Sequence, residues 1–257
     1  MRHADSSVEL DASQTRAADA GVKGMIPIGR PPPFLDYVIS GLADAGVTDV
    51  CLVIGPEHKR IRDYYGGEVE LKRVRVHFAT QAKPLGTADA VLAVEEFANG
   101  GHVLVLNSDN YYPVASLRAL AKLGAAGVAA FERDALVRLG NFDAARVEKY
   151  SVIEIDDDGM LVRIVEKPDA RTMAELGPAL FVGMNSWSLP PEIYRACRSI
   201  APSMRGELEL PDAVQFARDQ LGVPFHVLIS HEGVLDLSSR GDIASVALRL
   251  RDVEPRL

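Results

Sequence analysis

The sequence predicts an α/β fold, and three observations carry that prediction. Short apolar runs of strand length alternate with amphipathic segments of helical length along most of the chain. The 257 residues, 47% of them hydrophobic, are enough to bury one large core. Polar residues follow directly on several of the apolar runs, at the strand ends where open α/β sheets collect ligands.

In chain order, Phe34–Ala45 spaces Leu35, Val38, Ile39 and Leu42 as a helix does. Asp49–Ile54 is a β-branched strand run ended by Gly55-Pro56, and Pro56–Tyr65 suits a short helix opened by proline. Val74–Ala79 reads as a strand and Thr87–Ala98 as a helix capped by Thr87 or Asp89. Strand His102–Asn107, helix Val114–Leu123 and strand Gly127–Phe131 continue the alternation, which predicts a mostly parallel sheet covered on both faces. The texture changes near Lys149. Ser151–Ile155 and Met160–Val165 flank Asp156-Asp157-Asp158-Gly159, a hairpin turn rather than a calcium loop, because the EF-hand spacing and its terminal Glu are missing. Strand Ala179–Trp187, helices Pro191–Ser199 and Glu207–Leu221, strand Pro224–Ile229 and helix Arg240–Leu250 complete the reading. Trp187 is expected in the core.

Composition excludes several classes. The 28 Lys+Arg against 36 Asp+Glu give a formal charge of −8 without a long basic run, so nucleic acid is not an expected partner. No run approaches a membrane span and Met1–Ala20 lacks an apolar signal core, so a cytoplasmic protein is expected. Cys51 and Cys197, far apart in apolar segments, read as buried thiols in a reducing compartment.

Four segments hold residues suited to chemistry. Asn107-Ser108-Asp109-Asn110 follows a strand; Asp109 there can hold Mg²⁺, and the segment reads equally as a turn. Glu166-Lys167-Pro168 ends the hairpin and pairs an acceptor for hydroxyls with a cation for phosphate, although by itself it reads first as a solvated charge pair. Gln81–Asp89 opens a helix with a glycine, Gly86, that lets backbone approach an anion, as an ordinary connection also does. Asp236, between Leu235 and Leu237, needs a cation, hydrogen bonds or a metal if buried, or serves as a cap.

Taken in register, these segments resemble the sugar-1-phosphate nucleotidyltransferases. Lys23-Gly24-Met25-Ile26-Pro27-Ile28-Gly29 followed by Pro33-Phe34-Leu35 is similar to the family's K-P-M-x-P-v segment. Pro84-Leu85-Gly86-Thr87-Ala88-Asp89-Ala90, the strand ending at Asp109, Glu166-Lys167-Pro168 and Arg205-Gly206-Glu207-Leu208-Glu209-Leu210 follow in the family's order, so the resemblance spans about residues 22–245. It points within the family to glucose-1-phosphate thymidylyl- and uridylyltransferases. The resemblance implies a single Rossmann-like, GT-A-like domain over residues 1–257, with a mixed, mostly parallel central sheet flanked by helices. An inserted β-hairpin belongs to a sugar-phosphate part at 149–190, and residues 1–22 form an irregular lead-in.

The activity implied is condensation of a nucleoside triphosphate with a sugar 1-phosphate, giving a nucleotide sugar and pyrophosphate. By similarity, Asp109 and Asp236 hold Mg²⁺, and Lys23 faces the triphosphate as the third catalytic group. Gln81 and the Pro84-Leu85-Gly86 backbone read the base. Tyr150, Lys167 and Arg205 hold the sugar phosphate, and Glu166 takes sugar hydroxyls. A homo-oligomer is compatible with the resemblance.

The chain departs from the family at its start, where the apolar strand and the L-A-A-G-x-G-T-R loop are not found. That strand lies mid-sheet in the family, so two unpaired interior edges are expected, and Met1 is expected to be an internal methionine of a longer protein. Ser151 stands where a glycine often sits by the sugar, and Asn107-Ser108-Asp109 replaces the commoner Gly-Asp. The alternative functions are a regulatory homologue that binds nucleotide sugars without catalysis, and a transferase for a non-sugar phosphate such as phosphocholine.

Overall fold

The computed structural model describes residues 23–28, 30–147, 150–166, 168–169, 171–172 and 180–257, with backbone alone at 30–31. A short 3₁₀ turn, Lys23–Met25, leads into β1 (Pro27–Ile28), β2 (Arg30–Pro33) and α1 (Phe34–Ala45). Next come β3 (Asp49–Ile54), α2 (Lys59–Asp63), β4 (Arg75–Thr80), α3 (Thr87–Leu92), α4 (Glu95–Ala98) and β5 (Val103–Leu106). The middle of the chain forms β6 (Asn110–Tyr111), α5 (Val114–Lys122), β7 (Gly127–Glu132), α6 (Arg133–Leu139) and α7 (Ala144–Val147). The last part forms β8 (Ser151–Ile155), β9 (Leu161–Val165), β10 (Phe181–Leu189), α8 (Glu192–Ser199), α9 (Leu210–Leu221), β11 (His226–Ser230), β12 (Leu235–Asp236) and α10 (Asp242–Leu250). The expected lead-in at 1–22 lies outside the described residues.

The predicted alternation holds, and helices flank a mixed sheet. The mixing comes from β10. It runs antiparallel to β5, β7 and β8, so β5, β7 and β11 share one direction without β5 touching the other two. Periodicity alone predicts a more parallel arrangement, because it cannot reveal that one long strand reverses between its neighbours. Asn185, at φ 52°, sits where the β10–β7 register shifts between Gly183 and Trp187. This irregularity divides β10: Phe181–Gly183 pairs with β8, and Ser186–Leu189 pairs with β5. Trp187, 1% exposed, is packed in the core as expected.

The hairpin forms at the predicted turn. Gly159 has φ +78°, and the Asp156 carboxylate accepts from the amides of Asp158 and Met160 at 3.0 and 2.8 Å. Two helices differ from their predicted form. Thr87–Ala98 breaks into α3 and α4 at Val94, whose φ of −102° and ψ of 6° leave the helix while its side chain is buried. Pro56–Tyr65 is helical only from Lys59 and then widens into a π turn, Tyr64–Glu68. That wide turn brings two adjacent phenols, Tyr64 and Tyr65, to the Asp36 carboxylate at 2.9 and 2.6 Å.

Asp36, 3% exposed, is held above the usual carboxylate pKa by burial, against the two phenol hydrogen bonds. A raised folded-state pKa means the native protein binds this proton more tightly than the unfolded chain. The contribution is therefore favourable at pH below about 4 and is lost as pH rises through the raised value. Asp36→Asn removes this dependence. The mutant's stability relative to wild type is expected to improve as pH rises from about 4 to 7, read as the difference between two sets of denaturant curves. A flat difference contradicts the assignment.

β3 and β4 pair in parallel, apart from the larger sheet. Among the described residues β3 pairs only with β4, and β5 only with β10. The two strands line a cavity of about 830 Å³, whose walls include Val38 and Ile39 of α1 and Val91 of α3. Leu104 and Leu106 of β5 pack toward one core cluster, Val103 and Val105 toward the other. β3 and β5 thus both face this cavity. Cys197 is buried and its thiol is pushed up to about 12, whereas Cys51, on β3, is only half-buried. No helix among the described residues is long and apolar enough to cross a membrane.

Candidate active site

The site forms where β5 ends and the small β6–β12 pair begins. Asp109 lies just past β5, and its Oδ2 accepts from Lys23 Nζ at 3.1 Å; both side chains are about one quarter exposed. Lys23 reaches it from the 3₁₀ turn before β1, and Gly24 in that turn is packed against Leu35 of α1. The partner strand carries Asp236, directly across from Asn110. The Leu237 amide donates to the Asp109 carbonyl at 2.8 Å, which ties the two acid-bearing segments together.

Asp236 is 2% exposed and fully bonded. Its Oδ1 accepts from Asn110 Nδ2 at 2.9 Å and Ser238 Oγ at 2.8 Å; its Oδ2 accepts from the Ser238 amide at 3.2 Å and from Arg146 Nη2. Its backbone is gripped by Asn141, which donates to the carbonyl and accepts from the amide. Burial raises the Asp236 carboxyl pKa, and the nearby charges of Asp109 and Asp242 act in the same direction. Tyr112, wholly inside, donates to the Met184 carbonyl at 2.6 Å and joins this site to β10. Tyr150 stands at the same place: its phenol is pushed up to about 12, by burial first and then by the Asp236 charge, and its ring meets Phe142 edge-on at 5.4 Å.

The remaining expected residues fall elsewhere. Gln81 commits its amide nitrogen: Nε2 donates to the Gly86 carbonyl at 3.0 Å and to Asp89 Oδ2 at 2.9 Å. It therefore shapes its own loop, and any donation from its side chain to a base needs those bonds to open. Pro84 and Leu85 are exposed beside it. Gly86 has φ +118°, and a Cβ there would lie 2.4 Å from the Leu208 carbonyl oxygen. Arg205 donates to Glu209 Oε1 at 2.6 Å, and the charges of Glu209 and Glu166 both help to hold its proton. Glu166 is exposed within that influence, and Lys167 lies outside the described residues.

Ser151 packs inside the sheet. It is buried, with Oγ 3.4 Å from the Gly183 carbonyl, and a Cβ on Gly183 would sit 2.6 Å from that oxygen. The hydroxyl is thus accommodated by a glycine in the neighbouring strand, so its first effect is on strand packing.

Sequence reasoning missed Arg146, Asn141 and Asp242. The Ser239-x-x-Asp242 spacing before an apolar run was a legible capping signal, and Asp242 accepts from the Ser239 amide at 2.7 Å. Nothing local marks Arg146, which reaches Asp236 from 90 residues away. Among the described residues no group of three or more His, Cys, Asp or Glu converges as a metal site. Asp109 and Asp236 alone suit a hard cation that completes its shell with water and substrate phosphate oxygens.

The α/β sheet thus carries two acids and a lysine at its strand ends. The nucleotidyl transferase family model matches residues 19–227, and the chain belongs to that family. It is 28% identical over 228 residues to a glucose-1-phosphate thymidylyltransferase of Streptomyces antibioticus, covering 88% of this chain and 60% of that one. It is also 28% identical over 192 residues to the UTP–glucose-1-phosphate uridylyltransferase AglF of Haloferax volcanii, covering 75% and 73%. Matches to the first relatives cover 55% and 60% of their lengths, so the chain spans a little over half of them. In fold it is similar to UTP-bound UGPase from Acinetobacter baumannii, with a TM-score of 0.73 at 19% identity, covering 96% of this chain and 92% of that one.

Proposed function

We propose that the chain transfers a nucleotidyl group from a nucleoside triphosphate to a sugar 1-phosphate. The observation that carries this reading is the meeting of Lys23 and Asp109 with the buried Asp236 at the strand ends. The names of the relatives, which concern glucose 1-phosphate, support the sugar substrate.

In this reaction a sugar-phosphate oxygen attacks the α-phosphorus, the bond to the bridging oxygen breaks opposite it, and pyrophosphate leaves. Little covalent work falls to the protein, which positions the reactants and balances charge. Lys23 places its ammonium against the triphosphate. Arg205 and Lys167 grip the sugar phosphate, and Glu166 accepts from sugar hydroxyls. Asp109 and Asp236 are the residues that would hold magnesium, which supplies charge neutralisation for the phosphate oxygens when bound. Gln81, whose amide nitrogen is committed to its own loop, and the Pro84–Gly86 backbone meet the base. The free thiols of Cys51 and Cys197 suit a reducing cytoplasm.

The test is pyrophosphate release with magnesium across the common nucleoside triphosphates and several sugar 1-phosphates, with phosphocholine as a further acceptor. Release with one triphosphate and one sugar phosphate supports the proposal and names both substrates. Release with phosphocholine alone replaces the sugar. Nucleotide-sugar binding by calorimetry without any release assigns a binding role instead.

A further inference from the structure

Arg146 enters the site from α7, and the two acids hold it in different ways. Nη1 donates to Asp242 Oδ1 at 2.6 Å and Nη2 to Asp242 Oδ2 at 3.1 Å, a two-pronged grip. The same Nη2 also donates to Asp236 Oδ2. Asp242 is itself fixed, accepting from the Ser239 amide at 2.7 Å and Ser239 Oγ at 2.9 Å. The guanidinium lies 5.3 Å from the centre of the Phe142 ring, and its side chain is 22% exposed where that of Asp236 is 3% exposed. Arg146 is therefore anchored on Asp242, and its contact with Asp236 can open without loss of the anchor.

That contact matters because of which oxygen it covers. Asp236 Oδ1 takes the Asn110 and Ser238 side chains, whereas Oδ2 takes the Ser238 amide and Arg146, so Oδ2 is the oxygen that withdrawal of Arg146 opens to a cation. A divalent cation arriving alone must displace a like charge and leave an Nη2 hydrogen without its Asp236 acceptor. A cation arriving with a triphosphate brings oxygens that take up that hydrogen, and the complex is attracted by both Lys23 and Arg146.

We propose that Arg146 is a positioning residue that shields Asp236 from a bare divalent cation and yields it when phosphates accompany the cation. The proposal rests on the reading of Asp236 as a cation carboxylate, and its test separates the two. Mn²⁺ binding to the full chain is measured by electron paramagnetic resonance of free Mn²⁺, without nucleotide and then with a nonhydrolysable triphosphate.

Arg146→Gln is expected to bind Mn²⁺ alone at least tenfold more tightly than wild type, and to gain less than wild type when the triphosphate is added. Asp242→Asn frees Arg146 to pair wholly with Asp236 and is expected to weaken binding of Mn²⁺ alone threefold or more. This second variant decides the matter if Arg146→Gln fails to fold. Unchanged Mn²⁺ affinity in the folded variants overturns the role of Arg146, provided Asp236→Asn still weakens binding. Unchanged affinity in Asp236→Asn overturns the underlying reading of Asp236 and the proposal with it.

Discussion

Asp109→Asn is expected to lower kcat for pyrophosphate release by about 10² to 10³, the usual effect of removing one preorganised electrostatic group, with little change in stability. The stability half follows from exposure. Asp109 and Lys23 are each about one quarter exposed, and partly solvated ion pairs contribute on the order of 1 kcal/mol or less. An asparagine oxygen still accepts from Lys23, so the local geometry survives while the charge is lost. The measurement is a steady-state comparison of the two proteins with their thermal unfolding curves overlaid. A variant with wild-type kcat removes Asp109 from the mechanism. Asp236→Asn is less clean, because it also leaves Arg146 with one acid in place of two inside a buried cluster.

Gly86→Ala is expected to destabilise the protein by about 3 kcal/mol, combining a left-handed backbone forced on an L-residue with overpacking against main chain. The Leu208 backbone is the obstacle, with its carbonyl oxygen and amide nitrogen 2.4 and 2.6 Å from the added carbon. Neither atom is free to move. Leu208 donates to the Leu85 carbonyl at 2.7 Å and accepts from the Ala88 amide at 2.9 Å. Thr87 Oγ1 accepts from the Leu210 amide at 2.8 Å, so the starts of α3 and α9 are joined at this point. For a chain of this size the melting temperature should fall by roughly 6 to 12 °C, read by calorimetry. A shift below about 2 °C would show that the loop relaxes without cost.

Much of the fold was legible because it rests on local rules. The alternation from Asp49 onward gave strands and helices within a few residues, since apolar period and turn residues act over short distances. The hairpin at Asp156–Gly159 was readable because its turn chemistry needs nothing beyond the turn. Asp109 was readable for a related reason: a polar residue straight after an apolar strand lies at a sheet end. Gln81 shows the limit. Its position in a loop opening a helix could be read, but its commitment to Gly86 and Asp89 depends on a loop path that residue types leave open.

By itself, the sequence determined the α/β class, the order of its elements and a net charge of −8. These follow from composition and from periodicity, which the chain carries whatever it contacts. Only the tertiary structure decided that β10 reverses between β5 and β7, that the edges of β3 and β5 face a common cavity, and that Ser151 packs on Gly183. It also decided that Arg146 closes on Asp236 across 90 positions of chain. Such pairings are chosen by the burial of whole faces and by the need to partner every buried charge, and no single segment contains that information.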